Sequence, residues 1–143
     1  MEFEIRMREQ SGISCLEGDY KLKNEIFDRV HEGTDAHEES NAERTEKDLQ
    51  MNTEFIYGEV LFQHFIPALE FAQPQAGEVL WDLGCGGGRP LITASLAFPE
   101  LKAVKGLELL ERLTNLAIQI AGDDQALGGQ TITGLKHSAL AAR

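Results

Sequence analysis

Nine consecutive residues concentrate the chain's capacity for chemistry: Asp82-Leu83-Gly84-Cys85-Gly86-Gly87-Gly88-Arg89-Pro90. Glycines at 84, 86, 87 and 88 let the backbone turn with positive φ and let a ligand approach with no Cβ in the way. Pro90 suits a first helical turn, and a helix starting there offers unpaired N–H groups and the positive end of its dipole. No G-x-x-x-x-G-K-[ST] run is present, so a nucleotide-triphosphate loop is excluded. The spacing also differs from the G-x-G-x-x-G of dinucleotide sites. Glu108 follows at the end of Val104-Lys105-Gly106-Leu107, where a carboxylate can accept two hydrogen bonds from a ribose diol. The plainer role for Glu108 is to cap the next helix.

Asp82, beside this loop, is placed to hydrogen-bond loop amides or to reach a cationic ligand group. Both roles suit a ligand carrying an amine and a sulfonium. Cys85 reads as a small packing residue rather than a nucleophile. His31, His37, His64 and His137 show no metal-ligand spacing, and no metal site is expected. Cys15 and Cys85 make neither a disulfide framework nor a zinc site, which points to a reducing, intracellular home.

The elements that must position these residues alternate in type. Phe55, Ile56, Val60, Leu61, Phe62, Phe65, Ile66, Leu69 and Phe71 follow a mostly helical pattern, which Pro67 is expected to kink or divide. Pro74-Gln75-Ala76-Gly77 is turn chemistry. Glu78 to Leu83 is an apolar run of strand length, and its continuity predicts a strand covered on both faces. A helix is expected from Pro90 to Phe98, a strand from Lys102 to Glu108, and a helix from Leu109 to Ala121. Leu109, Leu113, Leu116, Ala117 and Ile120 would share one face of that last helix. Thr131-Ile132-Thr133 reads as a short strand in a Gly/Ala-rich tail over 122–143. Alternating helices and strands predict an α/β fold with a parallel sheet.

Charge is distributed unevenly over the 143 residues, whose net formal charge is −11. Residues 1–60 hold 16 acids and 7 bases, whereas residues 61–143 hold 8 acids and 6 bases. Residues 31–54 hold 8 acids, 2 bases and few large apolar side chains, so this stretch is expected to be exposed or disordered. Leu22, Ile26 and Val30 predict a short helix before it. The reading is therefore an acidic arm over 1–52, partly helical or disordered. It is either a plain solvated segment or a docking arm for a basic protein. A pI near 4.7 argues against direct nucleic-acid binding. No run approaches the ~18 apolar residues of a membrane span, and Met1–Gln10 lacks a signal-peptide core.

Motif and acid together resemble motif I and its acidic partner in class I S-adenosylmethionine-dependent methyltransferases. Upstream stands Tyr57-Gly58-Glu59. A Tyr-Gly-Glu step, a helix, an Asp-Leu-Gly-x-Gly-x-Gly loop and a Gly-x-Glu strand end are similar to the disruptor-of-telomeric-silencing (Dot-type, non-SET) histone-lysine methyltransferases. That resemblance spans about residues 53–118 and implies a Rossmann-like fold, of which 53–121 would be the cofactor-binding half. It implies S-adenosyl-L-methionine held by Tyr57, Gly58, Glu59, Asp82, Leu83, Gly84, Cys85, Gly86, Gly88 and Glu108. It further implies a lysine of a basic protein, a histone or nucleosome, as acceptor, and a nuclear location. Cys85 stands where the family usually has serine. The family's adenine-contacting and Asn-Phe active-site segments have no counterpart after Ala121, and lysine-rich nucleosome segments are missing, so the expectation is a truncated product, a fragment, or one half of something that pairs. Two other classes stay open: a class I methyltransferase for another protein or a small molecule, and a non-catalytic cofactor-binding or interaction fragment.

Overall fold

The computed structural model describes residues 13–122 and 136–137. Helix α1 (Ile13–His31) and helix α2 (Ala36–Glu46) come first. A 3-10 turn at Thr53–Phe55 leads to helix α3 (Phe62–Ala72), strand β1 (Val79–Leu83) and helix α4 (Arg89–Ala97). Strand β2 (Ala103–Glu108), helix α5 (Glu111–Ala121) and a two-residue strand β3 (Lys136–His137) complete the order. The mixed helix-and-strand class expected from the alternation is present. β1 and β2 run parallel, with Asp82 opposite Gly106 and Leu83 opposite Leu107. β3 joins the far side of β2 in parallel.

Local chemistry accounts for the boundaries. Gly88 turns the chain into α4, with Pro90 in its first turn. Asp35 caps α2 by accepting the Glu38 N–H at 2.8 Å. Gln73 ends α3 in a left-handed conformation. Pro67 lies inside α3 and does not divide it. Phe55 and Ile56 fall before α3, because residues 56–61 run without regular structure past the glycine loop.

The helices share a core. Phe27 and Val30 of α1 pack with Phe62 and Ile66 of α3, Ile92 and Leu96 of α4, and Ile120 of α5. Leu69, Cys85, Leu91, Ala94 and Val104 form a second cluster. On α5, Leu113, Ala117 and Ile120 are buried as the periodicity predicted, but Leu109 lies before the helix and is 37% exposed, because the helix starts only at Glu111.

Two expectations are corrected here. β1 is not covered on both faces: Val79, Trp81 and Leu83 are 39%, 49% and 76% exposed. These three share a face by strand alternation, so the helices cover only the side carrying Leu80 and Asp82. The second concerns the acidic stretch. Residues 36–46 form a helix whose Ala36, Ser40 and Glu43 are buried, with Ala36 packed against Leu110 and Leu113. The strand expected at Thr131-Ile132-Thr133 lies outside the described residues.

Candidate functional site

The glycine loop is pinned to the end of β2, since the N–H groups of Gly84 and Cys85 both donate to the Leu107 carbonyl, at 2.7 and 3.1 Å. Gly86 adopts φ +54, and a Cβ there would stand 2.4 Å from Cε2 of Tyr57. The tyrosine ring thus lies against the loop at a spot only glycine leaves open. The Tyr57 hydroxyl donates to Glu59 Oε1 at 3.2 Å. Burial, then the Glu59 charge, pushes the phenol's pKa well above its ordinary value. Glu59 Oε2 pairs with Arg89 Nε at 3.3 Å. The Arg89 guanidinium sits over the Phe27 ring, 5.3 Å from its centroid. His37 approaches the other side of the assembly, its ring edge-on to Tyr57 at 4.9 Å. Tyr57 is thereby held against the loop, with Glu59 linking it to Arg89.

Glu108 is a hub of backbone contacts. One oxygen accepts the Gly86 N–H at 2.8 Å. The other accepts Leu109 N–H at 2.7 Å and Leu110 N–H at 2.9 Å. It therefore does the work of a cap and also ties the glycine loop to the start of α5. A carboxylate has about four acceptor positions, so three donors leave room for another.

Asp82 does not serve the loop amides through Oδ2, which is buried with no hydrogen-bond partner. Burial, then the neighbouring Glu108 charge, raises its pKa above the ordinary carboxylate value. Cys85 is 3% exposed. Burial, with the charges of Asp82 and Glu108 added, pushes its thiol up to about 12. It is a protonated packing residue at neutral pH, not a nucleophile.

A cleft of about 380 Å³ opens at the carboxyl ends of β1 and β2. Tyr57, Gly58, Leu83, Gly84 and Glu108 line it, together with Glu54, Phe55, Ile56 and Leu110. This is where ligands of parallel sheets sit. Gly84 has open space where a Cβ would be. Cys85, Gly86 and Gly88 are buried behind this lining, and Gly88 gives α5 its close approach, with an added Cβ 3.0 Å from that of Ala117. Glu59 faces Arg89 rather than the cleft.

One contributor escaped the sequence reading. Glu43 of α2 is 1% exposed. Its oxygens accept the N–H groups of Glu111 at 2.9 Å and Arg112 at 2.7 Å, capping α5 from a distant helix. Lys47 and these N–H groups outweigh its burial and hold it below the ordinary carboxylate pKa. The Arg112 guanidinium pairs in turn with Glu39 and Glu46. A signal existed: Ala36 and Ser40, small residues at i and i+4 in a mostly charged helix, set a face that Glu43 at i+7 shares.

Comparison with known protein families, with curated protein sequences and with solved structures finds no match to this chain. Among the described residues, no helix is long and apolar enough to cross a membrane.

Proposed function

We propose that this chain binds S-adenosyl-L-methionine in the cleft at the carboxyl ends of β1 and β2. In this reading it is the cofactor-binding part of a Rossmann-like class I methyltransferase of the Dot type, acting on a lysine of a basic protein such as a histone. The observation that carries the reading is one cleft lined by Leu83-Gly84 at the start of the glycine loop, the Tyr57-Gly58 segment and the Glu108 carboxylate. The residues fit the cofactor. Gly84 presents bare backbone, and Glu108 keeps one acceptor position for a ribose hydroxyl, whereas Asp82 is not among the residues that line the cleft. Phe55, Ile56, Leu109 and Leu113 offer apolar walls for a base ring.

The bound cofactor would supply an electrophilic methyl group on a sulfonium. The chain's own contribution is position: alignment of donor and acceptor at about 3–3.5 Å is the main source of rate in such a transfer. Tyr57, fixed by Gly86, Glu59 and His37, walls off one side of the cleft. A nuclear setting and a nucleosomal acceptor belong to this reading, and direct nucleic-acid binding by this chain does not.

Calorimetry with S-adenosylmethionine and S-adenosylhomocysteine tests it. Binding is expected, and Glu108→Ala should weaken it by about 1–3 kcal/mol. Absence of binding at millimolar cofactor overturns the proposal. Radiolabelled methyl transfer to nucleosomes, free histones and other proteins then identifies the acceptor.

A further inference from the structure

We propose that α2 is a positioning element of this cleft, and that Glu43 is a positioning residue for Glu108. This rests on the reading of the cleft as an adenosyl-cofactor site. Three contacts carry it. Ala36, the first residue of α2, lies against the glycine loop, where a Cβ on Gly87 would come within 3.1 Å of its own. His37 packs edge-on against Tyr57 at 4.9 Å. Glu43 takes the N–H groups of Glu111 and Arg112. One eleven-residue helix therefore touches the loop, the Tyr57 wall and the turn that carries Glu108.

The division of donors is the decisive point. The N–H groups of residues 109, 110, 111 and 112 are consecutive, and all lie at a helix start where no intrahelical partner exists. Glu108 accepts the first two and Glu43 the last two. Without Glu43, the last two N–H groups would turn to water or compete for the remaining acceptor position of Glu108. That position is the one a ribose hydroxyl needs. Glu39 and Glu46 act differently, because they pair with the half-exposed guanidinium of Arg112 and dock the helix without reaching the backbone.

The test is calorimetry on the full chain with S-adenosylhomocysteine and its 2′-deoxy analogue. Wild type is expected to prefer the diol. Glu43→Gln should bind S-adenosylhomocysteine about tenfold more weakly, the scale of one charge-assisted hydrogen bond. Its preference over the deoxy analogue should shrink toward unity. Arg112→Ala, which removes the guanidinium and leaves the backbone contact, should keep the wild-type preference. A Glu43→Gln protein that is folded by circular dichroism and retains the wild-type preference overturns the inference and leaves the cofactor reading standing. Wild type that binds neither ligand overturns both. Should Glu43→Gln fail to fold, Glu43→Asp keeps the charge, shortens the reach by a methylene, and is judged by the same ratio.

Discussion

Gly86→Ala puts a methyl group where the Tyr57 ring lies. At φ +54 an L-residue pays about 1–2 kcal/mol that glycine does not. The new Cβ would also stand 2.4 Å from Tyr57 Cε2 and 3.1 Å from Cδ2, so the ring must move. It has little freedom to do so. Its hydroxyl is held by Glu59, Glu59 is held by Arg89, and His37 abuts the ring. Overpacking of this kind costs about 1–3 kcal/mol. The substitution is therefore expected to destabilise the chain by about 2–5 kcal/mol, a large part of a small domain's stability. The two contributions separate in a Tyr57→Ala background, where the steric one disappears and only about 1–2 kcal/mol remains. Urea unfolding of the four proteins, followed by far-UV circular dichroism at pH 7, gives the coupling directly. A value of about 1–3 kcal/mol is expected. Additivity to within about 0.5 kcal/mol would refute the reasoning, because it would mean that ring and loop do not meet.

Three further outcomes follow from the same geometry. Asp82 has a raised pKa, so its contribution is present below 3.8 and is lost as pH rises through the folded value. Asp82→Asn should therefore raise the thermal midpoint at neutral pH, with a gain that vanishes in acid; a neutral-pH midpoint at or below wild type contradicts the assignment. His31 is 7% exposed, its Nδ1–H donates to the Phe27 carbonyl at 2.7 Å, and Nε2 is unpartnered. Burial, chiefly, lowers its pKa, so stability should fall as pH drops from 6.5 toward the folded value, and His31→Gln should flatten that slope in a melting series. Arg89 both pairs with Glu59 and covers the Phe27 ring, which a lysine does less well. Arg89→Lys should cost about 1 kcal/mol in urea unfolding, and no loss would show the pairing to be idle.

The local grammar of this chain is readable, and its long-range partners are not. The strand ending at Leu83, the helix opening with Pro90 and the strand ending at Glu108 follow from apolar runs bounded by glycine and proline. Each stands within a residue or two of its expected limits. The glycine loop and Glu108 stand out because few uses exist for such a glycine density. The acids of α2 mislead, because charge in a sequence is read against solvent. Arg112, the partner of Glu39 and Glu46, lies 73 and 66 residues away. The exposed face of β1 was missed for a related reason: an apolar run reports what a strand favours, not what is there to cover it.

The bond between Glu43 and the start of α5 also bears on how the chain assembles. Its partners are 68 and 69 residues downstream, so during synthesis α2 emerges long before the amides it will hold. An eleven-residue helix is marginal in water by itself. Its acidic side chains keep it hydrated while it waits, and the same carboxylates later draw it onto α5. Closing so long a loop is slow relative to local helix formation. The cleft is therefore expected to form late and all at once. In pulse-labelled amide exchange, Gly86 and residues 109–112 should gain protection together with α2, and earlier protection of those five amides would dissociate the site from the helix.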